Sequence, residues 1–248
     1  MIAKIFLKIF VTLLVGIAGG IVGYFLIPYL TNTPLANKLN LSTSPTIINQ
    51  TKKIIITENT GIQEVIDNVS LSVVGVVTLD KNKILSKNTG FILTSDGLVL
   101  TSCYSKLNKK TEYRVINEEG IYNAKILKID KKNSLVLLKI EKDNLPVVSL
   151  GDINNIKLGE RIILIGKEVK IKNIDDLNSY SLYSIANVGT VRKITESLLF
   201  INLTKENSII SGGPLVDIKG EVIGMNLVDE SGNTKAVPIE IIRKFVNL

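Results

Sequence analysis

The stretch Ile209-Ile210-Ser211-Gly212-Gly213-Pro214-Leu215 decides how the rest of the chain is interpreted. Two consecutive glycines let the backbone turn tightly and bring amide N–H groups close to a ligand. Pro214 then fixes one dihedral directly after the turn. A serine on such a loop can be held ready to attack a carbonyl carbon. The simpler interpretation is a Gly-Gly-Pro turn between two strands, with Ser211 as an ordinary turn residue, and the remaining sequence has to decide between the two.

The composition narrows the classes of function. The chain has 248 residues, of which 45% are hydrophobic, so a packed core is expected. Its net charge is +7, but the lysines are scattered among acidic residues, and we expect no nucleic-acid binding. The single cysteine, Cys103, excludes an intrachain disulfide and a multi-cysteine metal site, and no metal or cofactor is predicted. The chain has no histidine, so no imidazole is available for general acid–base chemistry near neutral pH.

The N-terminal residues predict a membrane anchor. Residues 1–8 carry Lys4 and Lys8 and no acidic residue, and residues 9–30 are almost entirely apolar. At a rise of about 1.5 Å per residue, a helix of this length crosses a hydrocarbon core about 30 Å thick. The apolar run is long for a signal peptide and no A-x-A-like site follows it, so we expect an uncleaved signal anchor in the cell membrane, with residues 1–8 cytoplasmic and the main domain extracytoplasmic. Residues 31–57, rich in Thr, Asn, Ser and Pro, are predicted to be a linker.

Residues 58–248 show a different pattern, in which short β-branched runs are broken by Gly, Asp and Asn. Six runs precede a link near 144–157 and six follow it, which predicts an all-β fold of two antiparallel six-stranded β-barrels. The first barrel is expected at about 70–143 and the second at about 158–238, with a closing amphipathic helix at 239–246. The expected strands are 72–79, 90–94, 97–101, 113–116, 124–129, 135–140, 161–165, 185–194, 198–203, 214–216, 222–227 and 234–237.

Four segments of this domain form a recognisable series. Residues 89–101 contain a Gly hairpin, 130–140 read D-K-K-N-S-L-V-L-L-K-I, 145–160 contain L-P-V-V-S-L-G-D, and 211–226 begin S-G-G-P-L. Together they resemble the trypsin-like serine proteases of the HtrA/Deg family, in order and over about three quarters of the chain. The resemblance implies the chymotrypsin fold and serine endopeptidase ancestry. It also implies a groove for a peptide or an unfolded envelope protein.

The resemblance also assigns the positions of the catalytic triad. Ser211 stands at the nucleophile position, whereas Tyr104 occupies the histidine position and Ser134 the aspartate position. The oxyanion-hole donors would be the backbone N–H groups of Ile209 and Ser211. Glycine tolerates the backbone conformation that such a donor needs, but β-branched Ile209 resists a positive φ, so we expect a rearranged loop.

These replacements remove the base and the carboxylate that orients it. A serine hydroxyl is a poor nucleophile unless a base takes its proton during attack. Tyrosine has a reference pKa near 10 and is a poor base at neutral pH, and the Ser134 hydroxyl carries no charge. The leading hypothesis is therefore a proteolytically inactive pseudoprotease that binds a peptide or protein in the former substrate groove.

Two other functions stay open. An active endopeptidase would use Ser211 with an unorthodox base, either Lys106 or another lysine or a group supplied by a partner chain. Cys103 as a nucleophile would lack a base as well. A purely structural domain would have a collapsed groove. The oligomeric state is also open, because the family resemblance suggests trimers, whereas glycines spaced four apart at 16–20 and 19–23 suggest helix pairs.

Overall fold

The chain forms two compact units, which are described separately. One unit is Met1–Ile56 and the other is Thr57–Leu248. The computed structural model describes residues 2–31, 60–81, 83–102, 111–171, 180–203, 208–229 and 231–247.

The first unit contains a long helix, α1, at Ile2–Thr31. Its apolar segment Leu7–Leu26 has 20 residues and is long and apolar enough to cross a membrane by length and composition. The hydroxyl of Thr12 lies 2.9 Å from the carbonyl oxygens of Lys8 and of Ile9 and donates within the helix. Its polar group is therefore satisfied internally, as an apolar surrounding requires.

The second unit is an all-β domain of two barrels. Its strands are β1 Val73–Asp80, β2 Lys83–Thr94, β3 Leu98–Ser102, β4 Thr111–Asn117, β5 Gly120–Asp130, β6 Leu135–Ile140, β7 Ser149–Leu150, β8 Arg161–Ile171, β9 Tyr180–Ile194, β10 Leu199–Asn202, β11 Pro214–Val216, β12 Glu221–Val228 and β13 Thr234–Pro238. The first barrel closes in the order β1-β2-β3-β6-β5-β4. The second closes as β11-β8-β9-β10-β13-β12, because β11 pairs with both β8 and β12. The predicted pair of six-stranded barrels is confirmed.

Two helices close the ends of the domain against one shared core. The helix α2 covers residues 60–70, and α3 covers Ile239–Val246. The Arg243 guanidinium on α3 donates to the carbonyl oxygens of Leu150 and Gly151 at 3.0 and 3.1 Å, which fastens α3 to the link between the barrels. The core includes apolar side chains of both helices and both barrels, among them Val69, Phe91, Leu100, Ile163, Met225 and Phe245. Burial of this apolar surface is what fixes the two barrels against each other.

Four strands are several residues longer than their apolar runs predict, and one of them is β5, which begins at Gly120 rather than at residue 124. β2 begins at Lys83 rather than at residue 90, β8 continues to Ile171, and β9 begins at Tyr180. The added parts of β8 and β9 have apolar side chains at alternate positions, and these pack in one cluster: Val169, Ile171, Tyr180 and Leu182. The added part of β2 is mostly polar, and backbone pairing with β1 holds it. The expected link also differs, because its short strand β7 pairs in parallel with the start of β12.

A buried cation joins the two barrels at the far end of β8. The side chain of Lys167 is only 4% exposed, and its ammonium group donates to the carboxylate of Glu118, in the turn between β4 and β5. The same ammonium donates to the hydroxyl of Ser184 at 3.0 Å. Because a buried charge without a partner is energetically costly, loss of the Lys167–Glu118 pair should lower the stability of the domain more than loss of one of its exposed ion pairs.

We expect Glu118→Ala to lower the free energy of unfolding by about 2 kcal/mol, because it leaves the buried Lys167 ammonium with a neutral partner. The matched control is Glu119→Ala, since Glu119 is the next residue and pairs with Lys142 at 2.8 Å on the surface. That change should cost less than about 1 kcal/mol. Urea unfolding of the full chain in a neutral detergent, followed by tyrosine fluorescence, measures both. Equal losses for the two variants would contradict the role assigned to Lys167.

Candidate functional site

Ser211 lies on a short loop that is tied to both barrels. The loop consists of a 3₁₀ turn at Ser208–Ile210 followed by Ser211 and two glycines that lead into β11. The carbonyl of Ser211 accepts the N–H of Thr89, from β2 of the first barrel, at 3.0 Å. The N–H of Gly212 donates to the carbonyl of Asn226, on β12 of the second barrel, at 2.7 Å. These bonds hold Ser211 at the junction of the barrels.

The glycine after Ser211 is required by both its conformation and its surroundings. Gly212 has φ +91°, a value that side chains disfavour, and a Cβ there would lie 2.3 Å from the carbonyl oxygen of Thr89. It would also lie 2.6 Å from the backbone nitrogen of Ser102. A side chain at this position would therefore push the Ser211 loop away from the first barrel.

The two isoleucines before Ser211 are accommodated by the 3₁₀ turn. Ile210 is 1% exposed and packs in the core of the second barrel, and Ile209 is partly buried against the same core. The hydroxyl of Thr89 donates to the carbonyl of Ile209 at 3.1 Å. Ile209 is not among the described residues with positive φ. The backbone conformation that a β-branched residue resists is thus avoided, and the oxyanion-hole role of Ile209 stays a prediction.

Ser134 lies across the cleft from the Ser211 loop, at the end of the turn between β5 and β6. It has φ 56°, in the left-handed region, and is half-buried. Ser134 and Ser211 line the same cleft, which has a volume of roughly 710 Å³. The cleft therefore brings together two of the three residues that the sequence assigns to the triad. Tyr104, together with Cys103 and Lys106, falls outside the described residues.

The Ser211 hydroxyl has a weak hydrogen-bond environment. It is buried, with 7% of the residue exposed, and it accepts the N–H of Val228 at a long distance of 3.4 Å. Within the described ranges this is its only hydrogen bond, and no side chain there takes its proton. The arrangement positions a hydroxyl in the cleft, but the described residues around it do not activate it.

Several cleft residues were not predicted from the sequence. The amide of Asn88 donates to the hydroxyl of Ser102 at 2.9 Å on the wall formed by the first barrel. Lys87, Lys132 and Lys235 also line the cleft. Lys132 lies within one of the four segments that resemble the HtrA/Deg family and Lys87 lies two residues before another, whereas Lys235 lies outside all four.

The acidic residue of the cleft is Asp229, in the turn after β12. Its carboxylate accepts the backbone N–H groups of Ser231 and Asn233, each at 2.9 Å, and the side-chain amide of Asn233 at 3.1 Å. The backbone N–H of Asn233, followed by its side-chain amide, holds the pKa of Asp229 below its usual value. Asp229 thus carries its negative charge near neutral pH, and its oxygens serve the turn. In the part of the chain described here, no group of three or more His, Cys, Asp or Glu side chains could hold a metal ion.

Comparison with known proteins agrees with this geometry. The model of the trypsin-like peptidase domain matches residues 88–225, more than half of the chain. The chain belongs to the trypsin-like peptidase domain family. Serine protease HTRA1 of Xenopus tropicalis is 32% identical over 171 residues, which cover 65% of this chain and 35% of that protein. Serine protease HTRA1B of Danio rerio is 28% identical over 200 residues, covering 75% of this chain and 40% of that protein.

Within the trypsin-like peptidase family, the chain is similar to proteins of the HtrA/Deg type. It spans little more than a third of the length of these curated relatives, with coverage of 35% for HTRA1 and 40% for HTRA1B. The crystal structure of Deg5 superimposes with a TM-score of 0.60 and 22% identity, covering 77% of this chain and 94% of the Deg5 chain. At that identity the superposition establishes the likeness of fold.

We expect Gly212→Ala to destabilise the domain by about 3 kcal/mol, because strain at positive φ adds to contacts that the backbone cannot relieve. Gly159→Ala is the matched control, since Gly159 has φ +82° and open space around its Cβ position. Strain alone should cost that variant about 1 kcal/mol. Urea unfolding measures both changes. A Gly212→Ala loss no larger than that of Gly159→Ala would show that the loop is free to move off the first barrel.

Proposed function

We propose that this chain is a membrane-anchored, extracytoplasmic member of the trypsin-like peptidase family that binds a peptide or protein without cleaving it. The observation that carries the proposal is the absence of histidine from all 248 residues. Peptide hydrolysis by serine needs a base that takes the hydroxyl proton and then protonates the leaving amine. Imidazole is the side chain best suited to that exchange near neutral pH.

The described surroundings of Ser211 support a role in binding. Its hydroxyl accepts the Val228 amide, a contact that leaves its proton where it is. Ser134 has a neutral hydroxyl at the position assigned to the aspartate, so it would not stabilise a cation on a neighbouring base. Tyr104, at the assigned histidine position, would be protonated at neutral pH, since tyrosine has a pKa near 10.

The cleft itself supports binding over a purely structural role. It has a volume of roughly 710 Å³, within the ordinary range of ligand pockets. Ile210 packs into the core of the second barrel, and neither it nor Ile209 lines the cleft. A groove collapsed onto the isoleucines would have the opposite arrangement.

An active endopeptidase is the second candidate, because Ser211 is retained in a cleft of an HtrA-type fold. A serine–lysine pair needs a desolvated lysine with a lowered pKa. Of the lysines in the cleft, Lys132 and Lys235 are exposed and Lys87 is half-buried. None of these three lysines is fully buried, as such a pair requires. The active alternative therefore depends on Lys106, on another lysine or on a base supplied by a partner chain.

The membrane anchor follows from α1 and the charges before its apolar segment. Lys4 and Lys8 precede most of that segment, and basic residues favour the cytoplasmic side. This charge distribution supports the proposal that residues 57–248 lie outside the cytoplasm, where envelope proteins would be the available ligands. The two HTRA1 relatives are named serine proteases, and their activity is not carried over to this chain.

We expect the full chain in neutral detergent neither to cleave casein nor to react with a fluorophosphonate probe at Ser211. The physical reason is that the chain has no histidine and that no side chain among the described residues accepts the Ser211 proton. In-gel fluorescence and peptide mapping measure the labelling, with Ser211→Ala as the control that reports non-specific reaction. Labelling or casein cleavage that disappears in Ser211→Ala would overturn the inactive assignment.

A restored variant tests whether the missing groups are the cause. Tyr104→His, Ser134→Asp and Ile209→Gly together supply a base, its orienting carboxylate and a glycine in the loop. Aspartate suits the positive φ of residue 134 at least as well as serine, because it is enriched in that region. We expect this variant to react with the probe, and to lose that reaction when Ser211→Ala is added.

A further inference from the structure

We propose that the cleft beside Ser211 binds an extended peptide rich in acidic side chains, a proposal that rests on the binding function argued above. Three lysines line the cleft: Lys87 on β2, Lys132 in the turn between β5 and β6, and Lys235 on β13. They stand against one acidic residue, Asp229. The lysines come from both barrels, so both barrels contribute positive charge to the lining of the cleft.

The three ammonium groups are available to a ligand. In the ranges that the structure describes, none of them forms a salt bridge or a hydrogen bond with the protein. Lys167, by contrast, is buried and paired with Glu118, outside the lining of the cleft. An ammonium group that lacks an internal partner gains most from a carboxylate supplied by a ligand.

Asp229 does not cancel this positive charge. Its carboxylate already accepts hydrogen bonds from Ser231 and Asn233, and Lys235 lies close enough to interact with it without forming a salt bridge. The described lining therefore holds three lysines against one aspartate, and Lys132 also interacts with Asp130 at the start of its own turn. This local excess of positive charge is part of the net charge of +7 of the whole chain. Clefts lined by one sign of charge concentrate ligands of the opposite sign.

The apolar part of the lining indicates a peptide. Leu85, Leu198, Leu227 and Val228 are half-buried in the wall of the cleft, and Val237 is buried behind it. An extended chain directs alternate side chains to opposite sides. A peptide that alternates acidic and apolar side chains can thus place the acidic ones near the lysines and the apolar ones on this wall. A uniformly charged polyanion would leave the apolar wall without a partner.

The test measures binding of three fluorescein-labelled nonapeptides to the full chain in neutral detergent by fluorescence anisotropy. One peptide alternates Glu and Val, and the other two replace every Glu with Gln or with Lys. We expect the Glu peptide to bind about tenfold more tightly than the Gln peptide, because several exposed ion pairs, each weak by itself, add up to a preference of about that size. The preference should shrink between about 0.05 M and about 0.3 M salt, because exposed charges are screened beyond about 10 Å at 0.1 M.

Two triple variants locate the effect. Lys87→Gln, Lys132→Gln and Lys235→Gln together should reduce the preference for Glu over Gln to within about twofold. The matched control changes Lys83, Lys131 and Lys219 to Gln, which removes the same charge from exposed positions outside the cleft. The control should keep most of the preference. Equal losses in the two variants would overturn the proposal, because the effect would then come from net charge.

The remaining outcomes separate this inference from the proposed function. Ser197→Trp fills the cleft from an exposed position on its rim and should abolish binding of the Glu peptide. If all three peptides bind equally and Ser197→Trp abolishes their binding, the cleft binds peptides but the acidic preference is wrong. If heparin binds as tightly as the Glu peptide and displaces it, the cleft binds polyanions in general, and the proposal of an acidic peptide ligand would be overturned. Absence of binding to every peptide would overturn both proposals, whereas cleavage of a bound Glu peptide would overturn only the inactive assignment.

Discussion

The buried side chain of Thr89 is the point at which the two barrels and the Ser211 loop meet. Thr89 is fully buried on β2, and its hydroxyl accepts the N–H of Lys167 on β8 at 3.0 Å while lying 3.1 Å from the carbonyl of Ile209. Its backbone N–H donates to the carbonyl of Ser211, and its carbonyl accepts the hydroxyl of Thr101. Polar groups buried this deeply must be paired, so barrel one, barrel two and the loop constrain one another through a single residue.

Much of the fold is readable from short-range pattern, and the exceptions have a common cause. β6 at Leu135–Ile140 and β11 at Pro214–Val216 coincide with their apolar runs, because a half-buried strand must alternate or remain apolar. The first residues of β2 carry no such signal, yet they pair with β1 from Asp80 to Val77. Their strand conformation depends on a partner strand, which local sequence does not reveal. β7 is a similar case, since its two residues pair in parallel with β12 far along the chain.

For the candidate site as well, the sequence predicts some features, whereas others depend on three-dimensional packing. The motif order assigns Ser211 and Ser134 to one site, and both residues line the same cleft in the structure, while their assignment to the triad stays a prediction. From the sequence, Ile209 is expected only to resist a backbone conformation with positive φ. In the structure, the residues before Ser211 form a 3₁₀ turn, and Ile210 is buried in the core of the second barrel. The sequence does not predict this turn, because it depends on whether the core has room for the Ile210 side chain. The sequence does not predict that the three lysines line one cleft, because their proximity depends on how elements of both barrels pack together.

The presence of Ser-Gly-Gly-Pro at residues 211–214 therefore needs a physical explanation that does not assume catalysis. Gly212 is demanded by positive φ and by the nearby carbonyl of Thr89, and Gly213 by the carbonyl of Ile165, 2.4 Å from where its Cβ would lie. The demand on Gly212 arises from joining the barrels, and the demand on Gly213 arises from close packing within the second barrel. Both would persist in a protein that never cleaves a peptide. Ser211 is different, because its hydroxyl makes one long contact to Val228 and stabilises little. The two glycines are therefore explained by the fold alone. Only Ser211 and the groups that face it indicate what chemistry the cleft can perform.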